Sequence, residues 1–231
     1  MIFQDRNDAG KLLARKLEQY AGKSDVLVLA IPRGGVPVAF QVAATLGAPM
    51  DVFVVRKLGV PSQPELAFGA IASGGIRILD EQIVDSMGVS EPEIEQIAAE
   101  QRAELNRRER VYRGRRAPLH IENKTVILVD DGIATGASTR AAIAALRQLK
   151  PARIVLAAPI APASTCWNLR REVDEVVCLD APETFYAIGQ FYEDFSQVSD
   201  DEVTALLKLN GEQNANETDA TRGTVRKGIG P

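Results

Sequence analysis

Two adjacent carboxylates, Asp130 and Asp131, are the first residues in the chain that could do chemistry. They close an apolar run, Val126-Ile127-Leu128-Val129. They open a stretch of small and hydroxylated residues, Gly132-Ile133-Ala134-Thr135-Gly136-Ala137-Ser138-Thr139. The apolar run reads as a buried strand, and the stretch after it as a loop leading into a helix. Ligands of open α/β sheets bind at the carboxyl ends of the strands. In such a place small side chains let a phosphate approach the backbone. The first turn of a helix supplies unpaired N–H donors and the positive end of a dipole. Carboxylates accept hydrogen bonds from sugar hydroxyls and can hold Mg²⁺, usually through water. Anion donors beside paired anions suit a ligand that carries both a phosphate and a diol. The stretch lacks the Gly-Lys-Ser/Thr of a Walker A loop, and Gly132 and Gly136 lack the spacing of a dinucleotide fingerprint.

Four other groupings could support such a site. Pro32-Arg33-Gly34-Gly35 follows an apolar run, and Arg56-Lys57 follows another. Ten residues, Arg107-Arg108-Glu109-Arg110-Val111-Tyr112-Arg113-Gly114-Arg115-Arg116, form a basic run. It reads equally as cationic help for an anionic leaving group and as a solvated helix end, where cations suit the dipole; contact with RNA is a third reading. Aromatic residues are 5% of the chain, yet Phe185, Tyr186, Phe191, Tyr192 and Phe195 crowd into eleven positions. The one histidine, His120, sits in a Pro-Leu-His-Ile-Glu turn, so any Ser-His-Asp triad would have to be built there. Cys166 and Cys178 give neither a disulfide framework nor metal-ligand spacing and read as free thiols in a reducing compartment.

The stretch from Val126 to Thr139 closely resembles the 5-phosphoribosyl 1-diphosphate (PRPP) signature of type I phosphoribosyltransferases: four apolar residues, two acids, then a Thr-Gly-x-Ser/Thr core. The resemblance extends over about residues 25–200. It implies a Mg²⁺-dependent enzyme that moves the phosphoribosyl group of PRPP to a nitrogenous base and releases pyrophosphate. Asp130 and Asp131 would be the catalytic pair, binding the ribose hydroxyls with Mg²⁺ held nearby through water, and Ala134, Thr135, Gly136, Ala137, Ser138 and Thr139 would cradle the 5′-phosphate. Arg33, Gly34, Gly35, Arg56 and Lys57 would meet the pyrophosphate, with a non-proline cis peptide before Arg33. Phe185 or Tyr186 would stack on a nucleobase-like acceptor, in a hood. Dimers are common in the family, so a homodimer is expected. Ala134 stands where hypoxanthine-guanine enzymes carry an acid, and is more like the adenine-type motif. A PRPP-binding regulator of the same fold, without turnover and contacting nucleic acid or protein, is the alternative.

The elements that must position these residues follow from hydrophobic periodicity and turn signals. Apolar runs at 26–31, 50–55, 124–129, 153–158 and 175–179 read as strands, with a short one at 76–79. Helices are expected at 8–21, 36–46, from Ser90 to about 110, and at 138–149 and 164–171. Alternation of apolar strands with helices gives an α/β fold, a parallel twisted sheet flanked by helices. Residues 1–209 are expected to form one domain, with a helical insertion at about 80–118 and a small C-terminal hood at about 180–200. Residues 58–73, with two prolines, several glycines and no Lys or Arg, read as a long mobile loop over the site. Residues 210–231 are polar and read as a disordered tail.

Bulk properties agree with this picture. The chain has 231 residues with a net charge of −4. A general nucleic-acid footprint is therefore not expected. No stretch approaches a membrane span, and the mixed charges of the first residues lack the apolar core of a secretory signal, so a cytoplasmic protein is expected.

Overall fold

The computed structural model describes residues 1–118 and 120–225, with side chains through residue 215. Its centre is a five-stranded parallel sheet made of β1 (Val26–Ala30), β2 (Met50–Val52), β6 (Thr125–Val129), β7 (Arg153–Ile160) and β8 (Glu175–Asp180), in the order β2-β1-β6-β7-β8. A second, antiparallel sheet consists of β3 (Val55–Val60), β4 (Gln63–Ala72) and β5 (Ile76–Leu79).

Every residue of β1 and β6 is buried, as expected of strands covered on both faces. The two-residue period of a strand divides them cleanly. Val26, Val28 and Ala30 join one core with α1 (Arg6–Lys16), α2 (Gly35–Leu46), α4 (Glu91–Arg113) and α7 (Asp200–Val225). Leu27 and Leu29 point to the other, with α5 (Ala137–Gln148) and α6 (Ala163–Leu169). A third cluster, around Phe3, Ile160, Phe191 and Tyr192, ties the N-terminal segment to the expected hood.

Local chemistry sets the helix ends. The Asp5 carboxylate accepts the Asp8 amide at 2.7 Å at the start of α1. The Glu93 carboxylate accepts the amide and hydroxyl of Ser90 at 2.9 and 2.6 Å, so the capping expected at Ser90 is present. Between β5 and α4 lies a short helix, α3 (Glu81–Met87), capped by Asp80, which the sequence reading did not anticipate. It and α4 occupy the stretch expected as a helical insertion.

Two expectations are corrected. Residues 58–73 are not a long loop: they complete β3 and make β4, a hairpin that pairs onward with β5. The glycines and prolines that read as loop signals mark its irregularities. The β3–β4 register shifts on both sides of Gly59, and a side chain on Gly69 would overlap the Ile78 carbonyl of the neighbouring strand. Nor does structure stop at Leu209. Helix α7 runs on to Val225, and Asn210 is 1% exposed. Asn210 accepts the Met50 amide through Oδ1 at 2.8 Å and donates through Nδ2 to the Ala48 carbonyl at 3.2 Å. It thus acts as a strand partner for β2, the edge of the main sheet. Residues 226–231 of the expected tail lie outside the described residues.

Candidate functional site

β1 and β6 lie side by side in register, with Ala30 opposite Val129, so the segments that follow them leave the sheet together. After β1 comes Pro32-Arg33-Gly34-Gly35, with a cis peptide between Pro32 and Arg33. After β6 comes the acid pair. The two segments touch. A Cβ on Gly34 would overlap the Asp131 carboxylate, and one on Gly35 would stand 2.8 Å from the Val129 carbonyl and 3.0 Å from the Asp130 Cα. Both glycines are needed because the backbone of one loop is pressed against the acids of the other.

The acids are held differently. Asp130 Oδ1 accepts the amide of Asp131 at 2.9 Å. Burial, and then the charge of Asp131, raise the Asp130 carboxyl well above its ordinary range. Asp131 receives the Arg6 Nε at 2.7 Å, with the two side chains only 11% and 10% exposed. Its carbonyl accepts the Tyr192 hydroxyl at 2.6 Å, and burial followed by the Asp131 charge raises that phenol. The pair therefore sits in a cleft with a cation already fixed to one member.

The loop after the acids enters α5 through Gly136, at φ +78°, a left-handed conformation that favours glycine. Thr135 Oγ1 accepts the Ala137 amide at 3.4 Å, and the Ala134 carbonyl accepts the Thr165 hydroxyl at 2.9 Å. Ala134, Thr135, Ala137 and Ser138 are exposed, whereas Thr139 is buried. The first turn of α5 thus faces solvent beside the acids, as an anion site requires.

A cleft of about 510 Å³ brings together Arg33, Gly34, Asp130, Asp131 and Ser138. A neighbouring cavity of about 660 Å³ contains Arg56 and Lys57 and shares Ser138 with it. Arg56 donates to Gln101 at 2.9 Å, and burial, then the charge of Arg108, lowers its guanidinium below its usual value. Arg33 reaches Asp200 at the start of α7, at 3.5 Å.

Phe185 and Tyr186 are elsewhere. Phe185 stacks on Phe191 at 5.4 Å between centroids, and Tyr186 is 86% exposed. The aromatic residue lining the acid cleft is Phe195, with the Arg6 guanidinium 3.9 Å from its ring centroid. Arg6 also donates to the Ser196 carbonyl at 2.8 Å. The sequence carries no local signal for Arg6, which lies 125 residues from its partner. Phe195 was visible only as one member of the aromatic crowd.

The basic run is largely bound internally. Arg107 and Arg108 pair with Glu104, and Arg113 meets Asp51 at 2.9 Å in a nearly buried pair. Arg116 donates to the Leu207 carbonyl at 2.5 Å. The Arg113 pair fastens the end of α4 to β2, and Arg116 fastens the segment after it to α7. His120 lines a separate cavity with Ser73 and Lys150. Among the described residues no helix is long and apolar enough to cross a membrane.

Comparisons with known proteins point the same way. The family model for the phosphoribosyl transferase domain matches residues 2–196. A provisionally named phosphoribosyl transferase of Mycobacterium tuberculosis, strain CDC 1551 / Oshkosh, is 48% identical over 206 residues, 89% of this chain and 46% of the relative. Its counterpart in a second strain matches equally. The chain spans about half the length of the curated relatives it matches. The crystal structure of TT1426 from Thermus thermophilus aligns with a TM-score of 0.81 and 42% identity, over 90% of this chain and 98% of that one.

Proposed function

Because the chain belongs to the phosphoribosyl transferase family, we propose that it binds PRPP in the cleft between β1, β6 and α5 and transfers the phosphoribosyl group to a nitrogenous base, releasing pyrophosphate. The observation that carries this reading is the meeting, in one cleft, of the acid pair, the exposed start of α5 and the Arg33-Gly34 loop. Few ligands need all three.

In this reading the amides and hydroxyls from Ala134 to Thr139 hold the 5′-phosphate. Asp130 and Asp131 accept the ribose hydroxyls, and Arg6 keeps Asp131 fixed while they do. Arg33 and the amides of Gly34 and Gly35 meet the diphosphate near its ester oxygen, with Arg56 and Lys57 beyond Ser138. The bond from C1 to the diphosphate oxygen breaks with its electron pair on the leaving group, and the acceptor nitrogen attacks C1 from the opposite face. The protein contributes by alignment and by fixed cations where charge departs. In this reading Phe195 borders the acceptor, since the Arg6 guanidinium already lies over its ring. The donor set suits Mg²⁺: Asp130 and Asp131 put two adjacent hard-oxygen carboxylates at the cleft, and Mg²⁺ takes one or two carboxylates together with substrate oxygens and water. Asp130 and Asp131 would hold it, and when bound it neutralises diphosphate charge. We place the enzyme in the cytoplasm as a homodimer, in nucleotide metabolism.

Incubating the protein with PRPP, Mg²⁺ and a panel of bases while following pyrophosphate is the direct test. PRPP at a hundred times its Kd should stabilise the protein by about 2.7 kcal/mol. The double substitution Asp130→Asn, Asp131→Asn should abolish both turnover and stabilisation. If PRPP stabilises neither protein, or both equally, the reading fails. Stabilisation without pyrophosphate release from any base would make the chain a PRPP-binding regulator.

A further inference from the structure

Cys166 on α6 and Cys178 on β8 are the chain's two cysteines, and their sulfurs lie 2.9 Å apart. Both are free thiols in hydrogen-bond contact. A disulfide bond is about 2.05 Å long, so the two need approach by less than about 1 Å. α6 backs the loop proposed to hold phosphate. Thr165, next to Cys166, donates to the Ala134 carbonyl at 2.9 Å, and a Cβ on Gly136 would meet the Thr165 methyl at 3.3 Å and Leu169 at 3.6 Å.

We propose that Cys166 and Cys178 form a reversible intramolecular disulfide under peroxide, and that closing it stiffens the Gly132–Thr139 loop through α6. The hydrogen bond from Cys178 lowers the Cys166 thiol, with the charge of Arg170 acting in the same direction against burial, whereas the same contact and burial raise Cys178. Cys166 is therefore the attacking thiolate. It displaces hydroxide from hydrogen peroxide and becomes a sulfenic acid, and the hydroxide takes up the proton that the thiol lost. The Cys178 sulfur then attacks the Cys166 sulfur, and the Cys178 proton leaves with the sulfenic oxygen as water. Two thiols and one peroxide give one disulfide and two waters. A dithiol reductant reverses the step. The importance of the loop for ligand rests on the proposed function; the disulfide and its mechanical effect do not.

The test treats the full chain with a modest excess of hydrogen peroxide. Intact mass should fall by two hydrogens, free thiols should go from two to none, and dithiothreitol should restore both. Cys178→Ala and Cys166→Ala, each left with one thiol and no partner, should lose no hydrogen, and any mass change in them should be a gain of oxygen. Hydrogen exchange followed by mass spectrometry should slow roughly threefold across residues 132–139 in the oxidised wild type. If the wild type keeps both thiols, or gains oxygen rather than losing hydrogen, there is no redox pair. If the disulfide forms and exchange in 132–139 is unchanged, the coupling to the loop is wrong. Neither readout requires PRPP, so a failure here is separable from a failure of the proposed function.

Discussion

At the scale of single residues, the site depends on one ion pair that joins distant parts of the chain. Arg6 is bonded to Asp131, donates to Ser196 and lies over Phe195. Removing one partner of a nearly buried pair leaves the other uncompensated, which costs roughly 3 kcal/mol. Arg6→Met should therefore lower the unfolding free energy by about that amount in denaturant titration. A loss under about 0.5 kcal/mol would show the pair to be no better than a surface one. The acids and the Arg33-Gly34-Gly35 loop were legible in the sequence because each is a contiguous string at a strand end. Arg6 was not, because nothing near it in sequence announces a carboxylate 125 residues on. Phe185 and Tyr186 fit the pattern of a stacking residue, but packing on Phe191 takes one and solvent surrounds the other.

At the scale of elements, α4 and α7 are joined beside Arg33. Tyr112 donates to Asp200 at 3.0 Å, and Asp200 also faces Arg33. Burial, then the hydrogen bond and charge of Asp200, pushes the Tyr112 phenol up to about 12. A group whose pKa is raised on folding contributes stability that is complete below its unfolded value and lost as pH rises through its folded one. Stability from this contact should thus hold to about pH 10 and vanish towards pH 12. The difference in tyrosinate absorbance between the wild type and Tyr112→Phe should place that ionisation near pH 12. A difference curve centred near the ordinary value of about 10 would remove the contact from the account. Helix boundaries on this side were readable from Ser90 and Glu93, whose capping chemistry is local. The β3–β4 hairpin was not, because irregular antiparallel strands carry the same glycines and prolines as a loop.

For the molecule as a whole, the main sheet is closed at its β2 edge by a polar side chain rather than another strand. Asn210→Ala would leave the Met50 amide and Ala48 carbonyl buried with weakened pairing, at a cost of about 1–3 kcal/mol by denaturant unfolding. An unchanged midpoint would mean that water replaces Asn210 there without loss. Polar composition after Leu209 suggested disorder, yet two asparagines use that polarity to satisfy backbone groups. The parallel α/β architecture was legible because buried parallel strands read as unbroken apolar runs. The pairing of β1 with β6 has one more consequence, a kinetic one. Those strands are neighbours in space but roughly a hundred residues apart in the chain, while the β3–β5 sheet and its hairpin lie wholly between them. Local contacts close early and distant ones late, since a long loop must first be closed. In refolding from denaturant, helical circular dichroism should therefore recover before ligand-dependent protection does. On a ribosome, the complete cleft cannot exist until the chain has been made past Val198.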